Sequence, residues 1–292
     1  MDREKIILAG KMASEAREFA RSFIKKGMLL SEIADKIEEK MEKLGGKPAF
    51  PTCLSMDSVA AHSTPQYNDS TKAEGLLKVD MGVHIEGWIA DTAFSIDLED
   101  SEENKKIIEA SEKALEAAIK IAKKGIAINQ IGKVIGEKIE SFGFSSIVNL
   151  SGHSIERYNL HAGISIPNFD NKSSMILEEG LYAIEPFSTP GNGKIRDGKS
   201  SGIYRLQDDK NLRSEIAREI LGFIGKEYET LPFCSRWIVK KFGQKALIGL
   251  KQLEENGNIH SYPELLEISG KKVAQTEHTI LVEKDKVIVT TL

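Results

Sequence analysis

Four acids stand where acids are costly. Asp80 sits in LLKVDMGV, Asp91 in GWIADTAF, Glu185 in YAIEPF and Glu277 in QTEHTILV. One carboxylate in a strand-like run is ordinarily a solvent-facing residue, and each of these, taken singly, reads that way. Four of them in mostly apolar context call for a shared partner, because a bare carboxylate is expensive there. The six histidines extend the set. His62 lies in AAHSTP (60–65), and His153 and His161 lie in LSGHSIERYNLHAG (150–163). These loops place a His beside Gly or Pro among small polar residues, a setting that positions groups and does not fill a core. Carboxylates with one imidazole, His153, suit a pair of divalent ions drawn from Mn, Fe, Co or Zn. Such a pair activates a water and clamps the atom it attacks, which leaves His62 and His161 free for substrate chemistry.

The elements that must carry these residues follow from periodicity. Residues 75–98 predict a hairpin turning near Glu86-Gly87, which puts Asp80 and Asp91 on one face, opposite or diagonal. Residues 179–188 predict a second extended run, and 271–292 a closing hairpin with its turn near Lys284-Asp285. By strand alternation His84 and His278 point away from the metal face. Residues 3–26 predict an amphipathic helix stopped by Gly27, and Ser31 caps a second helix that ends at Gly45. The design returns 98 residues later, where 102–124 ends in Lys-Lys-Gly as the first helix does. Segment 31–45 aligns without a gap on 129–143, with six of fifteen positions identical. A duplicated helix pair predicts a pseudo-twofold α+β fold, with helices stacked on a curved antiparallel sheet.

Residues 193–258 differ from the rest. They open Gly/Ser-rich, become helical, and carry 13 Lys/Arg against 9 Asp/Glu in a chain of net charge −4. They read as an inserted helical subdomain, leaving 1–192 and 259–292 as the catalytic unit. Gly193–Ser200 fits the phosphate-loop pattern GxxxxGK[ST], and Gly198–Gly202 fits GxSxG. Both motifs need a buried strand before and a helix after. Pro186 and Pro190 precede them and no helical period follows, so both are declined in favour of a flexible connection. The overall charge implies no nucleic-acid coat, two cysteines are too few for a disulfide framework, and no apolar stretch approaches a membrane span. A cytoplasmic protein is expected.

Taken together, FPTCLS (50–55), AAHSTP, KVDMGVHIEGWIADTAFS (78–95), GHSIERYNLHAG, IEPFST (184–189) and QTEHTILVE (275–283) resemble the type II, archaeal-like methionine aminopeptidases over essentially the whole chain. The resemblance implies the pita-bread fold, with 193–258 as the insertion typical of type II. It implies a dinuclear metal site held by Asp80, Asp91, His153, Glu185 and Glu277, with Asp91 and Glu277 bridging. Glu185 would shuttle the proton, His161 would stabilise the oxyanion and His62 would meet the scissile amide. Phe50, Leu160, His161 and Phe187 would enclose the methionine side chain, with His62 at its mouth. The implied reaction removes the initiator methionine from nascent polypeptides whose second residue is small, by a metal-activated water. A monomer is expected, and the basic helical part of 193–258 is read as a surface for docking on the ribosome. Two other readings stay open: an Xaa-Pro peptidase of the same fold, and a non-catalytic binding protein on it.

Overall fold

The structure, a computed structural model, describes all 292 residues. Two helix pairs lie along the chain: α1 (Arg3–Phe23) with α2 (Leu30–Lys43), and α3 (Glu102–Ile121) with α4 (Ile128–Glu140). Their connections repeat in atomic detail. In the first pair Gly27 N–H donates to Ala73 O, Leu30 N–H to Thr71 O and Ala73 N–H to Met28 O. In the second pair Gly125 donates to Leu177, Ile128 to Met175 and Leu177 to Ile126. The pseudo-twofold expected from the repeat is therefore present in the backbone bonding itself.

The same bonds correct three boundaries. Both long helices stop short of their Lys-Lys-Gly ends, at Phe23 and Ile121, because Ile24 and Ala122 are extended. That extension turns the chain toward its bridge with the strand side. Ser31 is not a cap. The helix begins at Leu30 behind Leu29 with no side-chain cap, and the backbone carbonyl of Thr71 accepts the otherwise free N–H of Leu30.

Both pairs pack on one face of a nine-stranded sheet. Its strand order is Lys47–Pro48, Leu76–Ile85, Trp88–Asp97, Glu277–Val282, Gly180–Ile184, Ser151–Ile155, Ser165–Pro167. Cys53–Met56 also pairs with Leu76–Ile85, and Val287–Val289 with Glu277–Val282. Alternation divides each strand. Leu77, Val79, Met81 and Val83 pack against Ala9, Ala13, Ala16 and Ala20 of α1 and Ile33, Ile37 and Met41 of α2. Tyr182, Ile184, Ile280 and Val282 pack on Ile131, Ile135 and Ile139 of α4. Residues of the opposite parity, including Asp80, Asp91 and Glu277, face the other side.

Two expected strands prove to be two strands each. The run 179–188 divides into Gly180–Ile184 in the large sheet and Phe187–Thr189 in a three-stranded sheet with Ala274–Gln275 and Ser145–Ser146. Pro186, which has no N–H for a ladder, marks the corner. The closing segment likewise crosses from Ala274–Gln275 to Glu277–Val282. Glu185 and Glu277 thus stand at the two places where the chain changes sheet. The closing turn itself falls where expected, with Glu283 N–H donating to Lys286 O.

The Gly/Ser-rich start of 193–258 is no flexible connection. Ile195–Leu206 is a twelve-residue strand between Phe233–Cys234 and Ile259–Glu267, in a four-stranded sheet completed by Val59–Ala61. No helix follows either declined motif. Then come α5 (Glu215–Glu227, capped by Ser214), α6 (Ser235–Phe242) and α7 (Ala246–Glu255). They share an apolar cluster including Ile220, Ile224, Ile238, Leu250 and Leu253. No helix is long and apolar enough to cross a membrane.

Candidate metal centre

The hairpin Leu76–Ile85/Trp88–Asp97 turns at Glu86-Gly87, both with positive φ (48° and 84°), as a two-residue turn with matching twist requires. Asp80 pairs with Ala93 and Gly82 with Asp91, so the two carboxylates are diagonal neighbours on one face. Glu277 also pairs with Ala93 and joins the same row from the next strand. Threonine hydroxyls lock the register. Asp91 N–H donates to Thr279 Oγ1 (2.7 Å), which donates to Asp91 O (2.8 Å), and Thr92 Oγ1 donates to Glu277 O (3.0 Å).

One ligand atom from each of Asp91, His153 and Glu277 lies within 4.8 Å of the others. His153 Nε2 is 3.7 Å from Asp91 Oδ2 and 3.8 Å from Glu185 Oε1. Gln275 Nε2 donates to Asp80 Oδ2 (3.1 Å) and to Glu185 Oε2 (3.4 Å). All five sequence-derived donors therefore share one site. Asp80 Oδ1, Asp91 Oδ1 and Glu277 Oε1 are buried with no hydrogen-bond partner in the chain. Buried oxygens are normally satisfied. Three orphaned carboxylate oxygens beside an imidazole are the donor set that a divalent cation completes, so the residues fit such an ion.

The electrostatics agree. Burial pushes Asp80 up to about 7, against the opposing hydrogen bond from Gln275. Burial first, then the neighbouring acids, raises Asp91, Glu185 and Glu277 well above the usual carboxylate range. Burial lowers His153 to about 3, with His161 adding to the effect, so its imidazole is neutral and free to ligate.

A stability prediction follows. Without metal, a carboxylate whose folded pKa is raised holds its proton after the unfolded chain has released it. Its contribution is complete below the unfolded value of 3.8 and, for Asp80, is lost as pH rises through about 7. The other three acids have the same sign. Chelated protein should lose thermal stability between about pH 5 and 8, and divalent metal should remove most of that loss. Calorimetry with and without chelator checks this; parallel curves would contradict it.

The donors line a cavity of about 200 Å³ with every other expected residue: Phe50, His62, Leu160, His161 and Phe187. The Phe50 ring lies over Gly82, where an added Cβ would come within 2.4 Å of it. Gly82→Ala should therefore displace Phe50 and raise KM with metal content unchanged, measured on any cleaved peptide. His161 stands on the open side, edge-on to His153 with ring centroids 4.4 Å apart. His62 has φ +60°, a strained conformation for a side chain of its size, and its Nδ1 is buried without a partner. Burial lowers His62 to about 4, so it is neutral when it meets a ligand.

The sequence reading missed several residues. Ile203, Pro232 and Tyr262 also line the cavity, the first two from the inserted segment. Tyr262 sits edge-on to His62 at 5.7 Å. Only Gln275, two residues before Glu277, carried a local signal. The reason given for His84 also fails. It shares its parity with Asp80, and separation along the strand, not alternation, keeps it from the site; its Nδ1 accepts from Gly87 N–H. His278 does face away, toward Arg17 and Thr291. Cys53 and Cys234 are both buried and free.

Residues 4–284 match the model of metallopeptidase family M24. The methionine aminopeptidase of Pyrococcus horikoshii is 46% identical over 296 residues, covering 100% of both chains. The chain belongs to family M24. Within it, the methionine aminopeptidase of Methanocaldococcus jannaschii is 43% identical over 99% of this chain and 98% of its own. The M24 fold is shared with the solved methionine aminopeptidase of Thermotoga maritima (24% identity, TM-score 0.70, covering 99% and 95% of the two chains). A thermophilic Arx1 superposes with a TM-score of 0.82 at 14% identity, covering 98% and 90%. A prolidase from Pyrococcus furiosus matches all of this chain but 64% of its own length (18% identity, TM-score 0.62). As an M24 metallopeptidase the chain is a metal-dependent hydrolase on the pita-bread fold.

Proposed function

We propose that the chain is a methionine aminopeptidase that removes the initiator methionine from nascent polypeptides whose second residue is small. Full-length identity to methionine aminopeptidases supports the activity. The observation that carries the residue assignments is a single cavity lined by four acids, three histidines and two apolar patches. One patch is Phe50, Cys53, Leu160 and Ile203, and the other is Ala61, Leu150 and Phe187.

In this reading Asp80, Asp91, His153, Glu185 and Glu277 would hold two divalent ions, with Asp91 and Glu277 as the shared ligands. When bound, such ions lower the pKa of water and offset charge developing on the substrate. Glu185 accepts the proton of the attacking water and passes it to the departing amine. Burial and the neighbouring Asp80 carboxylate raise its affinity for protons in the metal-free chain. His161, on the open side, donates a hydrogen bond to the developing oxyanion. His62, fixed in its strained loop and neutral, binds the scissile amide region. Phe50, Leu160, His161 and Phe187 enclose the methionine side chain.

The residues 193–258 form an inserted helical unit of the type II kind, and 1–192 with 259–292 form the catalytic unit. The separate apolar cluster of α5–α7 supports this division. The proposal includes a cytoplasmic monomer that approaches the ribosome through the insert, on which Lys240, Lys241, Lys245 and Lys251 flank exposed Leu247 and Ile248. Salt-sensitive co-sedimentation with ribosomes is expected, and its absence at low salt would remove this part.

A peptide panel tests the activity. Cleavage of Met-Gly and Met-Ala peptides with Xaa-Pro peptides untouched is expected. The reverse pattern would establish the Xaa-Pro reading, and full metal loading without turnover would favour a binding protein.

A further inference from the structure

A buried ion pair outside the cavity touches segments that adjoin two parts of its lining, one at Phe50, Cys53 and His62 and one at Ile203 and Pro232. Glu38 on α2 and Arg236 in the first turn of α6 are 6% and 7% exposed. Their contact is two-pronged: Arg236 Nη1 to Glu38 Oε2 (2.9 Å) and Nη2 to Oε1 (2.8 Å). Glu38 also accepts from the Trp237 indole N–H (2.8 Å) and from the backbone N–H of Thr52 (3.1 Å). Arg236 also donates to Asp35 and to the carbonyl of Pro65 (3.4 Å). A carboxylate that accepts four donors and a guanidinium that uses all three nitrogens leave little freedom at either end.

The two backbone partners of this pair, Thr52 and Pro65, are close in sequence to cavity residues. Thr52 lies between Phe50 and Cys53. Pro65 ends the segment that begins at His62, and the two segments are laced together. Thr64 Oγ1 donates to Thr52 O (2.9 Å) and Leu54 N–H to Ser63 O (2.6 Å). On the other side, Pro232 lies four residues before Arg236, and Cys234 pairs with Ile203. The part of the lining from Phe50, Cys53 and His62 and the part from the insert, Ile203 and Pro232, are thus both tied to this one pair.

We propose that Glu38 and Arg236 are positioning residues for substrate selection, holding the insert's wall at a fixed distance from the Phe50–His62 wall and so setting the shape of the slot for the first side chain. Neither residue touches the ligand cluster, so their work falls on binding and discrimination rather than on the chemical step. The inference rests on the methionine aminopeptidase reading. Wild-type turnover of a Met-Ala-Ser peptide tests that reading separately, and only the ratio of variant to wild type tests the clamp.

Arg236→Lys keeps the charge and loses the two-pronged geometry. Its KM for Met-Ala-Ser should rise about tenfold with kcat within about threefold, since small misplacements of a binding wall are costly. The preference for Met over Leu at the first position should fall at least about fivefold, with metal content unchanged. Trp237→Phe, which removes only the indole donor to Glu38, should shift both quantities in the same direction by about twofold to threefold and serves if Arg236→Lys does not fold. Unchanged KM and unchanged Met/Leu preference in a folded variant, whatever its melting temperature, would overturn the proposal and leave the pair a stabilising contact only. A fall in kcat that tracks lost metal would overturn it too.

Discussion

Replacing Glu277 or Asp91 by Ala removes bound metal and turnover together. Both side chains are buried on the sheet face that lines the cavity, and each holds one oxygen with no partner in the chain. Losing about 4 kcal/mol of transition-state stabilisation corresponds to about a thousandfold in rate, and loss of a bridging ligand should cost at least that. Metal analysis after dialysis and kcat on a methionyl peptide measure the two losses. The metal-free state behaves in the opposite sense. There Glu277 is an unpaired acid crowded by Asp91, Glu185 and Asp80. Metal-free Glu277→Gln should therefore melt no lower than the metal-free parent near pH 8, and higher if repulsion dominates. Near-native activity in either Ala variant would contradict the bridging role.

The second large effect separates ligands from substrate groups. His161→Ala keeps full metal content and lowers kcat by about a hundredfold to a thousandfold, the range for removing one oxyanion donor. The basis is position. His161 stands edge-on to His153 and is exposed on the open side of the cavity, whereas the four acids and the imidazole assigned to the metal are buried or nearly so. Preserved kcat with lost metal would show His161 to be a ligand.

What could be read from sequence divides by range. The hairpin carrying Asp80 and Asp91 was legible because its turn and its alternation are local, and the diagonal pairing followed from them. The helix-pair duplication was legible as a repeat. The ends of those helices were not, because Ile24 and Ala122 are extended and the chain just beyond them, at Gly27 and Gly125, donates to residues about fifty positions away. The strand Ile195–Leu206 looked like loose polar sequence. Much of it is exposed, its register is interrupted twice, and its partner Ile259–Glu267 arrives some sixty residues later.

The site follows the same division. That Asp91 and Glu277 meet, across nearly two hundred residues, came from the family resemblance and not from spacing. Alternation explains the outcome once the sheet order is known, because Asp80, Ala93 and Glu277 lie in one row. Tyr262, Ile203 and Pro232 gave no local sign. They come together because Ile195–Leu206 pairs with Phe233–Cys234 on one side and with Ile259–Glu267 on the other, contacts far apart in sequence. His84 shows the limit of parity: it faces the same way as Asp80 and lies too far along the strand to take part.

The most direct test is a crystal structure of the protein loaded with Mn or Co, with anomalous scattering to locate the metal. Two peaks are expected in the cavity, both touched by Asp91 and Glu277, one also by Asp80 and the other by His153 and Glu185. Peaks elsewhere, or a loaded protein whose metal contacts none of these five side chains, would contradict it.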